Sequence, residues 1–139
     1  MIARLRWLGV NLTVCGGWRK PEYWGESRVE LINRTRIFLN LPRFAGQFTL
    51  LRFVLGACNK ALIISEPLYN SAPFVAGEHY VAATYQEMPR VIRYYLEHED
   101  ERRRIAESGY HLTMNHCLAS ASIERLAGRI RLLAQARAK

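Results

Sequence analysis

The run Arg52-Phe53-Val54-Leu55-Gly56-Ala57-Cys58-Asn59-Lys60-Ala61-Leu62-Ile63-Ile64-Ser65-Glu66-Pro67 constrains the fold more than any other stretch. It reads as a buried helix, a tight turn at Asn59-Lys60, and a buried strand from Ala61 to Ser65 that Pro67 stops just after Glu66. In an open α/β sheet, ligands bind beyond the carboxyl ends of the strands. A Ser65-Glu66 pair closing an apolar strand is therefore a binding-site candidate on position alone.

The flanking chain supplies the rest of such a sheet. Arg4 to Leu8 reads as a short helix, and Val10 to Cys15 as a first strand ended by Gly16-Gly17. Paired glycines after a strand let a backbone pass close to a ligand, although an ordinary turn has the same composition and the longer dinucleotide spacing is absent. Trp18 to Gly25 forms a polar-aromatic loop with Arg19, Lys20, Tyr23 and Trp24. Ser27-Arg28-Val29-Glu30 has the form of a capping box and predicts a helix start. Ile37 to Leu41 is a second strand, nearly continuous in its apolar residues, as in sheets covered on both sides. Pro42 ends it and Arg43 to Gly46 is a loop.

From Gln47 to Cys58 apolar residues fill several helix faces, which predicts a largely buried helix with Arg52 in its middle. A buried guanidinium needs a carboxylate, carbonyls or a phosphate to offset its desolvation; snorkelling to solvent is the structural alternative. His79 to Ala83 reads as a fourth strand. Met88, Val91, Ile92, Tyr95 and Leu96 give the strongest helical spacing in the chain, with Thr84 and Glu87 as a cap one turn earlier. Glu99-Asp100-Glu101 before Arg102-Arg103-Arg104 suits a solvated helix, with Ser108-Gly109 as a possible bend. Leu118, Ile123, Leu126, Ile130 and Leu133 mark a closing amphipathic helix. The order predicts an α/β fold: a Rossmann-like parallel sheet of about four strands, helices on both faces, and closing C-terminal helices.

With 139 residues, half of them apolar or aromatic, the chain can bury one core and is not a disordered segment. The expectation is a single domain over residues 1–139. Twenty Lys and Arg against 12 Asp and Glu give a formal charge of +8, which suits nucleic acid, an anionic membrane or a phosphorylated small molecule. The basic residues are scattered over several elements without a nucleic-acid motif, which disfavours the first of these. Cys15, Cys58 and Cys117 form neither a disulfide framework nor a zinc pattern, so a reducing cytoplasmic setting fits best. No stretch reaches the length of a membrane span. The start, basic and then apolar, has features of a signal peptide, but Asn11 and Thr13 interrupt the run and no small-residue cleavage pattern follows.

The shared order and spacing of these segments resemble the C-terminal, donor-binding domain of a two-Rossmann-domain (GT-B) glycosyltransferase, in the group-one and spore-maturation-protein-like branch. The resemblance begins at Asn11-Leu12-Thr13-Val14-Cys15-Gly16 and covers nearly the whole chain. It includes Asn33-Arg34-Thr35-Arg36-Ile37-Phe38-Leu39-Asn40, the run from Arg52 to Glu66, Phe74 to Val81, Tyr94-Tyr95-Leu96, and Arg102 to Tyr110. It implies a nucleotide diphosphate-sugar as ligand, with no further cofactor and no metal. It also implies a site made of Gly16, Gly17, Arg19 or Lys20, Arg52, Ser65, Glu66 and the helix start near Gly46-Gln47.

Two departures stand out. Many relatives carry a carboxylate where this chain has Val54 or Leu55, which leaves Glu66 as the acid placed to meet donor hydroxyls. An N-terminal acceptor-binding domain does not precede the first strand, so the resemblance implies a domain that works with a missing half or a partner chain, and no catalytic residue is assigned. The competing expectation is an inactive donor-domain fragment that binds a nucleotide or a protein. The four histidines, isolated in sequence, read as surface or internally satisfied residues.

Overall fold

The computed structural model of the chain describes residues 2–14, 23 and 25–137. Among these residues three parallel strands form the sheet: β1 (Ile37–Asn40), β2 (Leu62–Ser65) and β3 (Val81–Ala82), in the order β1-β2-β3. Register pairs Ile37 with Leu62 and Asn40 with Ser65 on one side, and Ser65 with Ala82 on the other. Six helices accompany them among the described residues: α1 (Ile2–Trp7), α2 (Glu26–Asn33), α3 (Leu50–Cys58), α4 (Met88–Glu97), α5 (Glu99–His116) and α6 (Ala119–Arg137).

The central strand shows why the chain folds this way. Every residue of β2 is buried, and successive side chains point to opposite faces. Leu62 and Ile64 pack with Leu5 of α1, Met88 and Ile92 of α4, and Ile105 and Ala106 of α5. Ile63 faces the other way, into Phe53 and Ala57 of α3 with Phe74 and Tyr80. Helices therefore cover both faces, and each fully buried large side chain contributes roughly 1.5–3 kcal/mol of hydrophobic stabilisation. Phe53 anchors the second face, its ring 5.0 Å from each of Phe48, Phe74 and Tyr80 in edge-on contacts. Gly56 lets α3 lie this close, because a Cβ there would come within 2.9 Å of Ile63 Cγ1.

The parallel α/β architecture matches the sequence expectation, with three strands among the described residues instead of four. Residues 10–14 are irregular. The chain leaves α1 in a turn in which the Val10 amide donates to the Leu5 carbonyl at 3.0 Å, and the Arg6 guanidinium takes the Leu12 carbonyl at 3.2 Å. With the Val10 amide and the Leu12 carbonyl engaged in this way, residues 10–14 form no ladder with β1.

Other boundaries also shift. Helix α2 begins at Glu26 behind Gly25, whose positive φ of 63° turns the chain into the helix, so Ser27 lies inside the first turn and is not its cap. Helix α3 starts at Leu50 behind Thr49, because Gly46 and Gln47 are committed to a turn: the Gly46 carbonyl accepts from the Tyr69 amide at 3.1 Å, and the Gln47 amide donates to Phe44. This helix is one-sided, with Phe53, Gly56 and Ala57 buried and Leu50 and Leu51 exposed.

The fourth expected strand shortens to Val81–Ala82, since Tyr80 closes a turn with Gly77. Thr84 and Glu87 do interlock, the Glu87 carboxylate accepting from the Thr84 hydroxyl at 2.6 Å and from its amide at 3.0 Å. Helix α5 runs unbroken through Gly109, which serves close packing: a Cβ there would meet the His79 carbonyl oxygen at 2.7 Å.

Candidate functional site

At the carboxyl edge of the sheet, β1 ends in Asn40 and β2 in Ser65, both polar and both buried. Buried polar groups cost stability unless they find partners, and these two find each other. The Asn40 side-chain amide donates to the Ser65 hydroxyl at 2.9 Å, and that hydroxyl donates to the Glu66 backbone carbonyl at 2.9 Å. Ser65 thus uses its hydrogen-bonding capacity inside the protein and fixes the backbone from which Glu66 projects.

Glu66 is half-buried, and among the described residues no hydrogen bond or ion pair engages its carboxylate. An acid in this state has two oxygens available as acceptors. Arg52 lies at the same edge, exposed on α3, so of the two outcomes left open by the sequence its guanidinium takes the solvent-facing one. Its guanidinium donates to the carbonyl of Leu41, the residue after β1, at 2.9 Å. One backbone carbonyl leaves the remaining guanidinium donors available.

Two loops extend this edge. Residues 41–49 follow β1 and residues 66–69 follow β2, and Gly46 pairs with Leu68 in a parallel bridge beyond the strands. The rim so formed carries exposed Phe44 and Tyr69, with the Arg43 guanidinium 5.6 Å from the centre of the Phe44 ring. Asn40, Arg43, Phe44 and Tyr69 are absent from the set expected from sequence. The signal for Asn40 was a polar residue closing an apolar strand, the same signal that marked Ser65. Phe44 and Tyr69 sit in loops whose neighbours sequence spacing does not define.

Gly16, Gly17, Arg19 and Lys20 lie outside the described residues, as does most of the expected aromatic loop. Gly46-Gln47 is not a helix N-terminus, so its amides are not aligned with α3. Two histidines are engaged locally: His79 Nδ1 accepts from the Val75 amide at 3.0 Å, and His98 Nδ1 lies 2.8 Å from the Tyr94 carbonyl. Among the described residues no group of three His, Cys, Asp or Glu side chains is placed to hold a metal ion, and no helix is long and apolar enough to cross a membrane.

The arrangement offers an unengaged carboxylate, the exposed guanidinium groups of Arg52 and Arg43, and flat aromatic surface at the end of a parallel sheet. Such an edge accommodates a polar ligand with an aromatic or anionic portion. No curated protein and no solved structure matches the chain. A family model described as glycosyl transferase-like matches residues 1–128, and the chain belongs to that family.

Proposed function

We propose that the chain is the donor-binding domain of a GT-B-type glycosyltransferase and grips a nucleotide diphosphate-sugar at the carboxyl edge of β1 and β2. The observation that carries this reading is Glu66: a carboxylate without a partner among the described residues, held at the exit of the fully buried central strand by the Asn40–Ser65 pair. In this reading Glu66 accepts hydrogen bonds from ribose or sugar hydroxyls. Arg52 faces the diphosphate, whose leaving charge grows in the transition state. Phe44 or Tyr69 supplies a stacking surface for the base. Gly16, Gly17 and Arg19 complete the set as phosphate-side donors. The acceptor, and the base of an inverting reaction, come from a second domain or partner chain.

Titration calorimetry of the chain with UDP, GDP and a UDP-sugar tests the reading against Glu66→Ala and Arg52→Ala. Saturable binding of one nucleotide, weakened about tenfold or more in each variant, supports it. A folded chain that binds none of the three overturns it. Binding without sugar transfer in the presence of acceptor-domain partners identifies a nucleotide-binding module instead.

A further inference from the structure

The opposite edge of the sheet carries a polar concavity. There the loop from α2 to β1, the turn from α3 to β2 and one side of α5 line an open, solvent-facing cavity of about 470 Å³. Its lining includes Arg34, Arg36, Lys60, Arg102, Asn33 and Tyr110. Four cations therefore come from three separate segments into a space of the size that binds small molecules.

Their pairing is unequal. Arg102 is buried and committed: its guanidinium binds both Glu99 oxygens, at 2.6 and 3.1 Å, and donates to the Arg36 backbone carbonyl at 3.0 Å. It holds the floor and fixes the chain that carries Arg36. Arg34, Arg36 and Lys60 are exposed, and among the described residues no carboxylate forms an ion pair with any of them. Glu99, the partner of Arg102, is already shared between Arg102 and Arg103.

Lys60 adds an independent observation. It follows the end of α3 in the left-handed region, with φ of 53°, a place where glycine is the unstrained residue and a side chain is conformationally costly. The side chain held there at that cost sets its ammonium 4.9 Å from the centre of the Tyr110 ring, on the cavity lining. A lysine at a glycine position points to a use for the side chain and not for the turn.

We propose that this cavity is an anion site for a phosphorylated small molecule carrying a diphosphate or comparable multiple charge, distinct from the Glu66 edge at the other end of β2. Arg34 and Arg36 provide fork-shaped donors suited to phosphate oxygens, Lys60 provides a mobile point charge, and Arg102 is a positioning residue. Three cations without a carboxylate partner among the described residues match a multiply charged ligand better than a single carboxylate.

The test is amide NMR of the labelled chain titrated with inorganic pyrophosphate and, separately, with orthophosphate. The expected result is saturable shifts at residues 34–36 and 59–61, tighter with pyrophosphate. Lys60→Gly removes the ammonium and relieves the positive φ, so the variant stays folded; it weakens the response at these amides about tenfold, as does Arg36→Gln. Glu66→Ala leaves the response unchanged, which separates this site from the donor edge. Shifts confined to the Ser65–Leu68 edge overturn the proposal. So does unaltered pyrophosphate binding in Lys60→Gly and Arg36→Gln, or a response to a single-stranded RNA oligonucleotide with none to pyrophosphate.

Discussion

Asn40 and Ser65 are joined twice, once as register partners across the β1–β2 ladder and once through a side-chain hydrogen bond of 2.9 Å. Removing the Ser65 hydroxyl leaves the Asn40 amide buried without its acceptor and frees the Glu66 backbone carbonyl. Ser65→Ala is expected to destabilise the fold by about 1–3 kcal/mol, the usual cost of a stranded buried donor. Urea unfolding monitored by circular dichroism gives the number. A change under about 0.5 kcal/mol contradicts this account of the pair.

Gly109 of α5 and Gly128 of α6 predict opposite outcomes for the same substitution. At Gly109 a new Cβ meets the His79 carbonyl oxygen at 2.7 Å, whereas at Gly128 nothing lies within 4 Å. Gly109→Ala should therefore cost about 1–3 kcal/mol through overpacking. Gly128→Ala should strengthen α6 by up to about 1 kcal/mol through helix propensity. Thermal melts of both variants, run side by side, decide the matter.

Acid sensitivity has a specific source. The Arg102 guanidinium, and after it that of Arg103, hold the Glu99 carboxyl down at about 2, from an ordinary 4.5. A carboxyl depressed on folding contributes stability that is fully present above pH 4.5 and is lost as the pH falls through about 2. Denaturant midpoints measured across that window should fall less steeply in Glu99→Gln than in the parent chain.

Cys58 and Cys117 should alkylate slowly. Partial burial pushes both thiols above the ordinary 9.0, and the neighbouring Cys117 raises Cys58 further. Since the thiolate is the reactive form, iodoacetamide labelling of these two residues at pH 8 is expected to lag behind a free cysteine peptide and to catch up only above pH 9. Peptide-resolved mass spectrometry follows each site separately.

Much of the sheet was legible because β2 is apolar on both faces and stops at proline, a pattern that only a covered strand tolerates. The Ser65-Glu66 exit was legible for the same reason. Residues 10–14 were not, because alternation marks a strand only when the backbone is free to pair, and the Val10 amide is taken by α1. The burial of α3 was overread because Leu50 and Leu51 read as core although both are exposed, so the helix has one buried face where composition implied several, and the choice between burial and solvent for Arg52 stayed open. The rim residues Phe44 and Tyr69 owe their position to the Gly46–Leu68 bridge between two loops, which no local spacing encodes.

An edge strand of four residues ordinarily frays before the strand it leans on. Here β1 is fastened at its entrance, where Arg102 holds the Arg36 carbonyl, and at its exit, where Asn40 holds Ser65 and Arg52 holds the Leu41 carbonyl. Opening β1 requires releasing α5, β2 and α3 together. The amides it contributes to the β2 ladder therefore belong to the last unit of the molecule to exchange with deuterium, and the short border strand behaves kinetically as part of the interior.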